Sequence, residues 1–199
     1  MATKLYFSSI GIPHVKKYRQ LFGPGVKKVA IIANAWNVAP KKGEPLVRAV
    51  VSTLKTIRFE YAMLDLRDYK NRPDDLKKVL QTYDGVWVTG GNTFYLRQCM
   101  RDAGFDTIIG GLVAGGLVYG GESAGAVVAG TSLRGIQLLE DPKEAPPTIW
   151  QGLHLVDFGV IPHWDEEDDR KYLDAARDEM LKHTKVATIN NTADLIIER

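Results

Sequence analysis

A serine occupies the centre of the segment Gly121-Glu122-Ser123-Ala124-Gly125, which fits the G-x-S-x-G pattern of a nucleophile elbow. In such an elbow a strand turns sharply into a helix, and small flanking residues allow close backbone approach while the serine hydroxyl stays exposed. We therefore predict that Ser123 is a nucleophile and that the Ala124 N–H donates to a developing oxyanion. The alternative is a glycine-rich turn in which the serine only caps the helix.

A second segment, Val88-Thr-Gly-Gly-Asn-Thr-Phe94, also runs from a predicted strand into a predicted helix through two glycines. Glycine amides at such a turn can supply a second oxyanion donor, and we assign this role to Gly91, with Gly90 close behind it. Capping of the helix by Asn92 or Thr93 is compatible with that role. The sequence contains no G-x-G-x-x-G segment, so phosphate cradling is a weaker interpretation.

A histidine follows the predicted strand that ends with Val160-Ile-Pro162. Because proline stops the hydrogen-bond ladder, His163 is expected at the carboxyl edge of the sheet, where its imidazole could take the serine proton. The other three histidines do not follow the end of a predicted strand. A lone histidine is more often a surface or packing residue, so the prediction for His163 depends on Ser123.

The elements that must position these residues alternate along the chain. Short runs rich in Val, Ile, Leu and aromatic residues predict strands over 4–9, 28–35, 60–66, 85–89, 117–120, 155–161, 185–189 and 195–198. Apolar residues at three and four residue spacing predict helices over 44–57, 74–82, 93–103 and 166–183. This alternation predicts one domain over residues 1–199, an α/β three-layer doubly wound sandwich with a mainly parallel central sheet. Ligands of such sheets bind beyond the carboxyl ends of the strands.

Composition limits the function further. The 199 residues are 45% hydrophobic and 25% charged, as in ordinary globular proteins, and carry a net charge of +2. The basic residues are dispersed, so we expect no nucleic-acid partner. The apolar runs are too short or too glycine-broken to span a membrane, and no signal peptide is recognisable, so we expect a cytoplasmic protein. The single cysteine, Cys99, can form neither an internal disulfide nor a thiolate zinc site.

Taken together, the segments at 90–94, 121–126 and 162–163 resemble the peptidase E family of serine peptidases, the aspartyl dipeptidases, which have a class I glutamine amidotransferase-like fold. The segments at 140–146 and 152–158 are also similar to this family, so the resemblance covers nearly the whole chain. It implies an enzyme that cleaves short peptides with an N-terminal aspartate and needs no metal or cofactor. Ser123 and His163 match the family's nucleophile and base.

The resemblance fails at the triad acid. The family carries a glutamate or aspartate in the turn that here is Ile189-Asn-Asn-Thr-Ala-Asp194, and the best register places Asn191 at that position. An amide can accept the imidazole N–H but cannot offset the charge of an imidazolium. Asp194 could serve if the turn is rebuilt, and Asp165 or Glu122 could approach from elsewhere; a site without a third member also stays open.

An N-terminal aspartate requires a cation for its side-chain carboxylate. Arg170, near the start of the predicted helix after His163, matches an arginine that the resemblance implies there, although a solvated helix start explains it equally well. Asn92 is our second candidate for substrate binding. We expect a small peptide as substrate and a monomer or homodimer. The rival hypotheses are a catalytically impaired relative that binds an acidic small molecule or peptide, and a hydrolase of other acyl substrates.

Overall fold

The computed structural model describes residues 3–199. Its strands are β1 (Lys4–Ser8), β2 (Lys28–Ile32), β3 (Glu60–Met63), β4 (Gly85–Val88), β5 (Val118–Glu122), β6 (Phe158–Ile161), β7 (Lys185–Thr188) and β8 (Asp194–Glu198). Its α-helices are α1 (Val15–Gln20), α2 (Pro40–Thr56), α3 (Pro73–Leu80), α4 (Thr93–Asp102), α5 (Phe105–Ala114), α6 (Ala124–Val127) and α7 (Arg170–Leu181). Strands and helices therefore alternate as the sequence predicts.

Six strands form the central sheet in the order β3-β2-β4-β5-β1-β8, and all neighbours are parallel except β8, which runs antiparallel to β1. Pairing of Ile32 with Val88, Val88 with Gly121, and Phe7 with Gly121 sets four strand ends level with one another. The loops that follow β1, β2, β4 and β5 therefore start at one edge. The predicted α/β class and mainly parallel sheet are confirmed.

Helices cover both faces of this sheet because its side chains alternate in direction along each strand. Val29, Ile31 and Trp87 pack with residues of α1 and α2, whereas Ala30 and Ile32 pack on the other face with residues of α3, α4 and α5. Burial on both faces explains why β2 and β4 are continuous apolar runs. This arrangement makes the sheet a rigid base for the loops at its carboxyl edge.

The strands β6 and β7 do not join the central sheet but pair with each other in a separate parallel ribbon. Helix α7 packs on the ribbon through Leu173, Ala176 and Met180, in a cluster that also contains Ile161. Residues 166–169 do not form the predicted first turn of a helix, and α7 begins at Arg170. The sequence does not predict α1 or α5, and α5 carries two glycines; the helix expected after Ser123 is α6, which is only four residues long.

Candidate active site

The Ser123 turn has the backbone of a nucleophile elbow. Ser123 adopts φ 47° and ψ −115°, a conformation that is strained for a residue with a side chain. Its N–H donates to the Ser8 carbonyl oxygen at 3.0 Å, which ties the turn to the neighbouring strand β1. A Cβ atom on Gly125 would lie 2.1 Å from the Val88 carbonyl oxygen, so only glycine fits beneath the serine.

His163 reaches the serine from the ribbon of β6 and β7. Its backbone N–H donates to Ser9 Oγ at 2.9 Å, and Ser9 Oγ donates to the Ile189 carbonyl oxygen at 2.8 Å. The imidazole Nε2 then lies 3.1 Å from Ser123 Oγ, which is within hydrogen-bond distance. The buried Ser9 thus connects the end of β1 with the turns after β6 and β7.

Asn191, the residue that the best register aligns with the triad acid, lies beside the other ring nitrogen of His163. Its Oδ1 lies 2.7 Å from His163 Nδ1, and its Nδ2 donates to Glu166 Oε1 at 3.1 Å. The Asn191 backbone N–H donates to Asp165 Oδ1 at 2.7 Å. The structure therefore brings Ser123, His163 and Asn191 into one hydrogen-bonded row.

Asp194, the other candidate for the third member, lies elsewhere. Its carboxylate accepts hydrogen bonds from the Tyr6 hydroxyl at 3.1 Å and Lys17 Nζ at 3.1 Å, and its Oδ2 lies 2.7 Å from His14 Nδ1. Asp194 is the first residue of β8 and pairs in register with Ser8, which directs it toward α1 rather than toward His163.

The two predicted oxyanion donors stand at the ends of neighbouring strands. Gly91 has φ 121°, and a Cβ there would lie 2.5 Å from the Ala35 carbonyl oxygen. Ala124 is the first residue of α6, where backbone N–H groups lack helical partners. Within residues 3–199, neither of these two N–H groups donates a hydrogen bond to another protein group. Gly91 is partly exposed, whereas Ala124 is fully buried.

Two cavities flank Ser123, and Ser123, His163 and Glu140 line both. The first, here the Trp36 cavity, has a volume of about 470 Å³. Its remaining wall is mainly apolar and includes one basic side chain, Lys42; the other side chains include Ile10, Trp36, Val38 and Leu46. This cavity also contains Gly91 and Asn92, so the predicted oxyanion donor opens into it.

The second, here the Tyr172 cavity, has a volume of about 480 Å³. Its wall combines apolar side chains with carboxylates; beyond the three shared residues it includes Leu138, Leu139, Glu166, Asp169 and Tyr172. Three acidic residues, Glu140, Glu166 and Asp169, line this cavity, and three, Glu122, Glu140 and Asp141, also line the Trp36 cavity. The Trp36 cavity differs in carrying Lys42 beside its carboxyl groups.

Two carboxyl groups with raised pKa values lie beside the serine. Burial raises the pKa of Glu140 to about 7, although the Thr93 N–H and hydroxyl donate to its carboxyl oxygens at 2.6 and 2.8 Å. Burial likewise raises the pKa of Glu122 to about 7, and the Gly11 N–H donates to its Oε2. Glu122 is therefore engaged with the loop after β1 and does not bond to His163.

The two predicted substrate-binding residues are placed differently. Asn92 lines the Trp36 cavity, but its Oδ1 accepts from the Tyr95 N–H at 2.9 Å as a helix cap and its Nδ2 donates to the Asp141 carbonyl oxygen at 3.2 Å. Arg170 lines neither cavity. Its guanidinium donates to the Trp164 carbonyl oxygen and lies 4.6 Å from the centre of the Trp164 ring, so its contacts are with Trp164.

Sequence reasoning missed four residues of the site. Ser9, Lys42 and Glu140 come from distant parts of the chain, and only the tertiary structure places them beside Ser123. Glu166 carried a local signal, because a residue three positions after His163 in a tight turn lies next to it.

In residues 3–199, no group of three or more His, Cys, Asp or Glu residues is arranged to hold a metal ion. No helix in the same range is both long and apolar enough to cross a membrane.

Comparison with solved structures supports the same fold. A 1.5 Å crystal structure of a Listeria monocytogenes EGD-e protein assigned to peptidase E superimposes with a TM-score of 0.85 at 26% identity, covering 100% of this chain and 95% of that one. A peptidase from an acI-B1 Actinobacterium gives a TM-score of 0.68 at 17% identity over 99% of this chain and 84% of its own, which supports the fold alone.

Curated relatives are similar over part of their length. The chain is 34% identical over 125 residues to the uncharacterized peptidase Lin0382 of Listeria innocua, covering 62% of this chain and 60% of the relative. It is 34% identical over 119 residues to the uncharacterized peptidase Lmo0363 of Listeria monocytogenes, covering 59% and 58%. The model of peptidase family S51 matches residues 12–199. The predicted resemblance to peptidase E is thereby confirmed, and the chain belongs to peptidase family S51.

Proposed function

We propose that this protein is a serine peptidase that cleaves short peptides through an acyl-enzyme on Ser123. The observation that carries this proposal is the row of contacts from Ser123 Oγ to His163 Nε2, at 3.1 Å, and from His163 Nδ1 to Asn191 Oδ1, at 2.7 Å. The row ends at a strained elbow, and within residues 3–199 the Gly91 and Ala124 N–H groups beside it donate to no other protein group. Nucleophile, base and oxyanion donors are the parts that acyl transfer requires.

Each proton has a defined path in this mechanism. Asn191 Oδ1 is an acceptor, so His163 carries its proton on Nδ1 and leaves the Nε2 lone pair facing Ser123. Nε2 takes the hydroxyl proton as Oγ attacks the peptide carbonyl, and the Gly91 and Ala124 N–H groups donate to the oxyanion. His163 then gives its Nε2 proton to the leaving amine. A water molecule, deprotonated by the same nitrogen, hydrolyses the ester.

The proposed substrate is a dipeptide with an N-terminal aspartate. Lys42 supports this class, because it is the basic side chain on the wall of the Trp36 cavity and can pair with the aspartate carboxylate in place of the predicted Arg170. Glu140 lies where both cavities meet and can accept from the α-ammonium group. The limited cavity volumes favour short peptides.

Labelling with a fluorophosphonate probe tests the serine mechanism. The wild-type protein should be labelled at Ser123, and the Ser123→Ala variant should not. A panel of Asp-X, Ala-X and Leu-X dipeptides tests the substrate class, and Lys42→Met should reduce kcat/KM for Asp-X more than for Ala-X. Equal losses on both substrates would remove Lys42 from the specificity site while leaving the serine mechanism intact.

A second candidate function is favoured by one observation, the amide at the third position. Asn191 provides no negative charge to the imidazolium that forms during proton transfer. A protein with this deficit could bind an acidic peptide or small molecule in the Trp36 cavity without turning it over. Binding of an Asp-X dipeptide in calorimetry, with no labelling of Ser123, would identify this function.

A further inference from the structure

The turn after β6 places a carboxylate behind the histidine and the asparagine. The Glu166 N–H donates to the His163 carbonyl oxygen at 3.1 Å, which closes a tight turn and returns the Glu166 side chain over His163. Glu166 Oε1 then lies 3.5 Å from His163 Nδ1 and 3.1 Å from Asn191 Nδ2. One carboxylate oxygen therefore contacts both partners of the Nδ1 hydrogen bond.

This contact decides which way the Asn191 amide faces. An ionised carboxylate only accepts hydrogen bonds, so the amide must direct Nδ2 toward Glu166. Its Oδ1 consequently faces His163 Nδ1. Because that oxygen only accepts, the proton of the neutral imidazole is held on Nδ1, and Nε2 stays free to act as a base toward Ser123.

Within residues 3–199, the Glu166 carboxylate is the only one that lies within 4.0 Å of a ring nitrogen of His163. Asp165 is also on this turn, but its Oδ1 accepts from the Asn191 backbone N–H. Glu140 lines both cavities and is held by Thr93, and Glu122 is held by the Gly11 N–H. The Asn191 amide carries no charge, so an imidazolium at His163 depends on Glu166 for a close anion.

We infer that Glu166 is a positioning residue that orients Asn191, fixes the tautomer of His163 and supplies the charge that the amide lacks. This inference rests on the proposed serine peptidase function. Two residues then share the role of one triad acid. Asn191 accepts the hydrogen bond from His163 Nδ1, and Glu166 provides the negative charge.

Kinetics of Glu166→Gln test the inference against a matched control. Glutamine keeps the size of the side chain but has no charge and can present either an oxygen or an amino group to Asn191. We expect kcat to fall at least about tenfold with KM nearly unchanged, as for an interaction that acts in the transition state. The acid limb of the kcat/KM profile should also move to lower pH. The matched control is Glu167→Gln, which removes a negative charge from the exposed side chain one residue away. This control should change neither kcat nor the acid limb of the kcat/KM profile.

A second substitution provides a rescue. In the Glu166→Gln background, Asn191→Asp supplies an acceptor and a charge in one group, and the side-chain amide introduced by Glu166→Gln can donate to it. The kcat/KM should then rise at least about tenfold over Glu166→Gln alone. In the wild-type background the same Asn191→Asp change sets two carboxylates side by side, so the gain should be smaller. An equal gain in both backgrounds would overturn the inference.

Imidazole ¹⁵N chemical shifts separate this inference from the proposed function, because they need no turnover. In the wild-type and Glu167→Gln proteins, at a pH where His163 is neutral, the proton should reside on Nδ1. In Glu166→Gln a measurable share should move to Nε2. Unchanged shifts in Glu166→Gln, or a kcat no lower than in Glu167→Gln, would overturn the positioning role. Failure of the wild-type protein to label at Ser123 would instead contradict the peptidase function, and the shifts would still decide the role of Glu166.

Discussion

The two halves of the candidate site are held in different ways. The elbow at Ser123 lies at the carboxyl ends of the central strands, where Val88 and Ala124 are fully buried and backbone groups make the contacts. The histidine turn, residues 162–169, follows β6 of the separate β6–β7 ribbon. In this turn 29% of the His163 side chain and 41% of the Glu166 side chain are exposed. Side-chain hydrogen bonds to Asn191 hold that half together.

This difference explains where the site tolerates change. A close-packed backbone turn admits no additional atom, since its neighbours are main-chain groups that cannot move independently. A half-exposed network of side chains can exchange one hydrogen-bonding group for another while the ribbon stays folded. The glycine-flanked elbow pattern is complete in this chain, and Asn191, where the resemblance to peptidase E predicts an acid, lies in the turn after β7, within the side-chain network.

The largest expected effect is at Ser123, the proposed nucleophile. Ser123→Ala removes Oγ without changing the backbone, so kcat should fall at least about a thousandfold while circular dichroism and thermal unfolding stay close to wild type. Hydrolysis of the best dipeptide in the panel provides the measurement. A variant that retains wild-type turnover would show that the elbow is structural only.

A change in the elbow backbone should cost stability. In Gly125→Ala the new Cβ would lie 2.1 Å from the Val88 carbonyl oxygen, so the free energy of unfolding should fall by about 3 kcal/mol or more. Gly110→Ala is the matched control, because a Cβ on that glycine of α5 meets no atom within 4 Å. The control should be neutral or stabilised by about 0.5–1 kcal/mol. Urea unfolding measures both, and equal effects would contradict the close packing of the elbow.

The buried carboxyl at the elbow should make stability depend on pH. Folding raises the pKa of Glu122 from 4.5 to about 7. The contribution of this carboxyl group to the free energy of unfolding is therefore complete below pH 4.5 and is lost as pH rises through about 7. Between pH 4.5 and 8 the wild type should therefore lose on the order of 2–3 kcal/mol more unfolding free energy than Glu122→Gln. Glu140 titrates in both proteins and cancels. Parallel stability curves for the two proteins would be the contrary result.

The smallest effect on turnover is expected at Asp194, where the turn between β7 and β8 ends. Asp194→Ala leaves the Tyr6 hydroxyl without its acceptor and removes the partner of His14 and Lys17, which should lower the free energy of unfolding by about 1–2 kcal/mol. Turnover per folded molecule should stay within about twofold of wild type, because a change distant from the reacting groups leaves transition-state contacts intact. A large loss of turnover with unchanged stability would instead identify Asp194 as the triad acid.

The elements that depend on local patterns could be predicted from the sequence. The eight strands, the helices α2, α3, α4 and α7, and the turn at Ser123 depend on residue spacing and on glycines within a few positions of each other. Helix α5 was missed because Gly110 and Gly111 lie within it and weaken the helical signal. The position of His163 beyond Pro162 was also a local inference, and the structure places its imidazole next to Ser123.

Only the tertiary structure determines the contacts between segments that are distant in sequence. The sequence by itself left Asn191 and Asp194 as alternatives three residues apart. Pairing of β8 with β1 directs Asp194 toward α1, whereas pairing of β7 with β6 brings Asn191 to His163. The same long-range packing places Lys42 in the Trp36 cavity and turns Arg170 onto Trp164. Residue type and spacing determine which groups can do chemistry, but strand pairing determines which of them meet, because it is set by burial summed over the whole sheet.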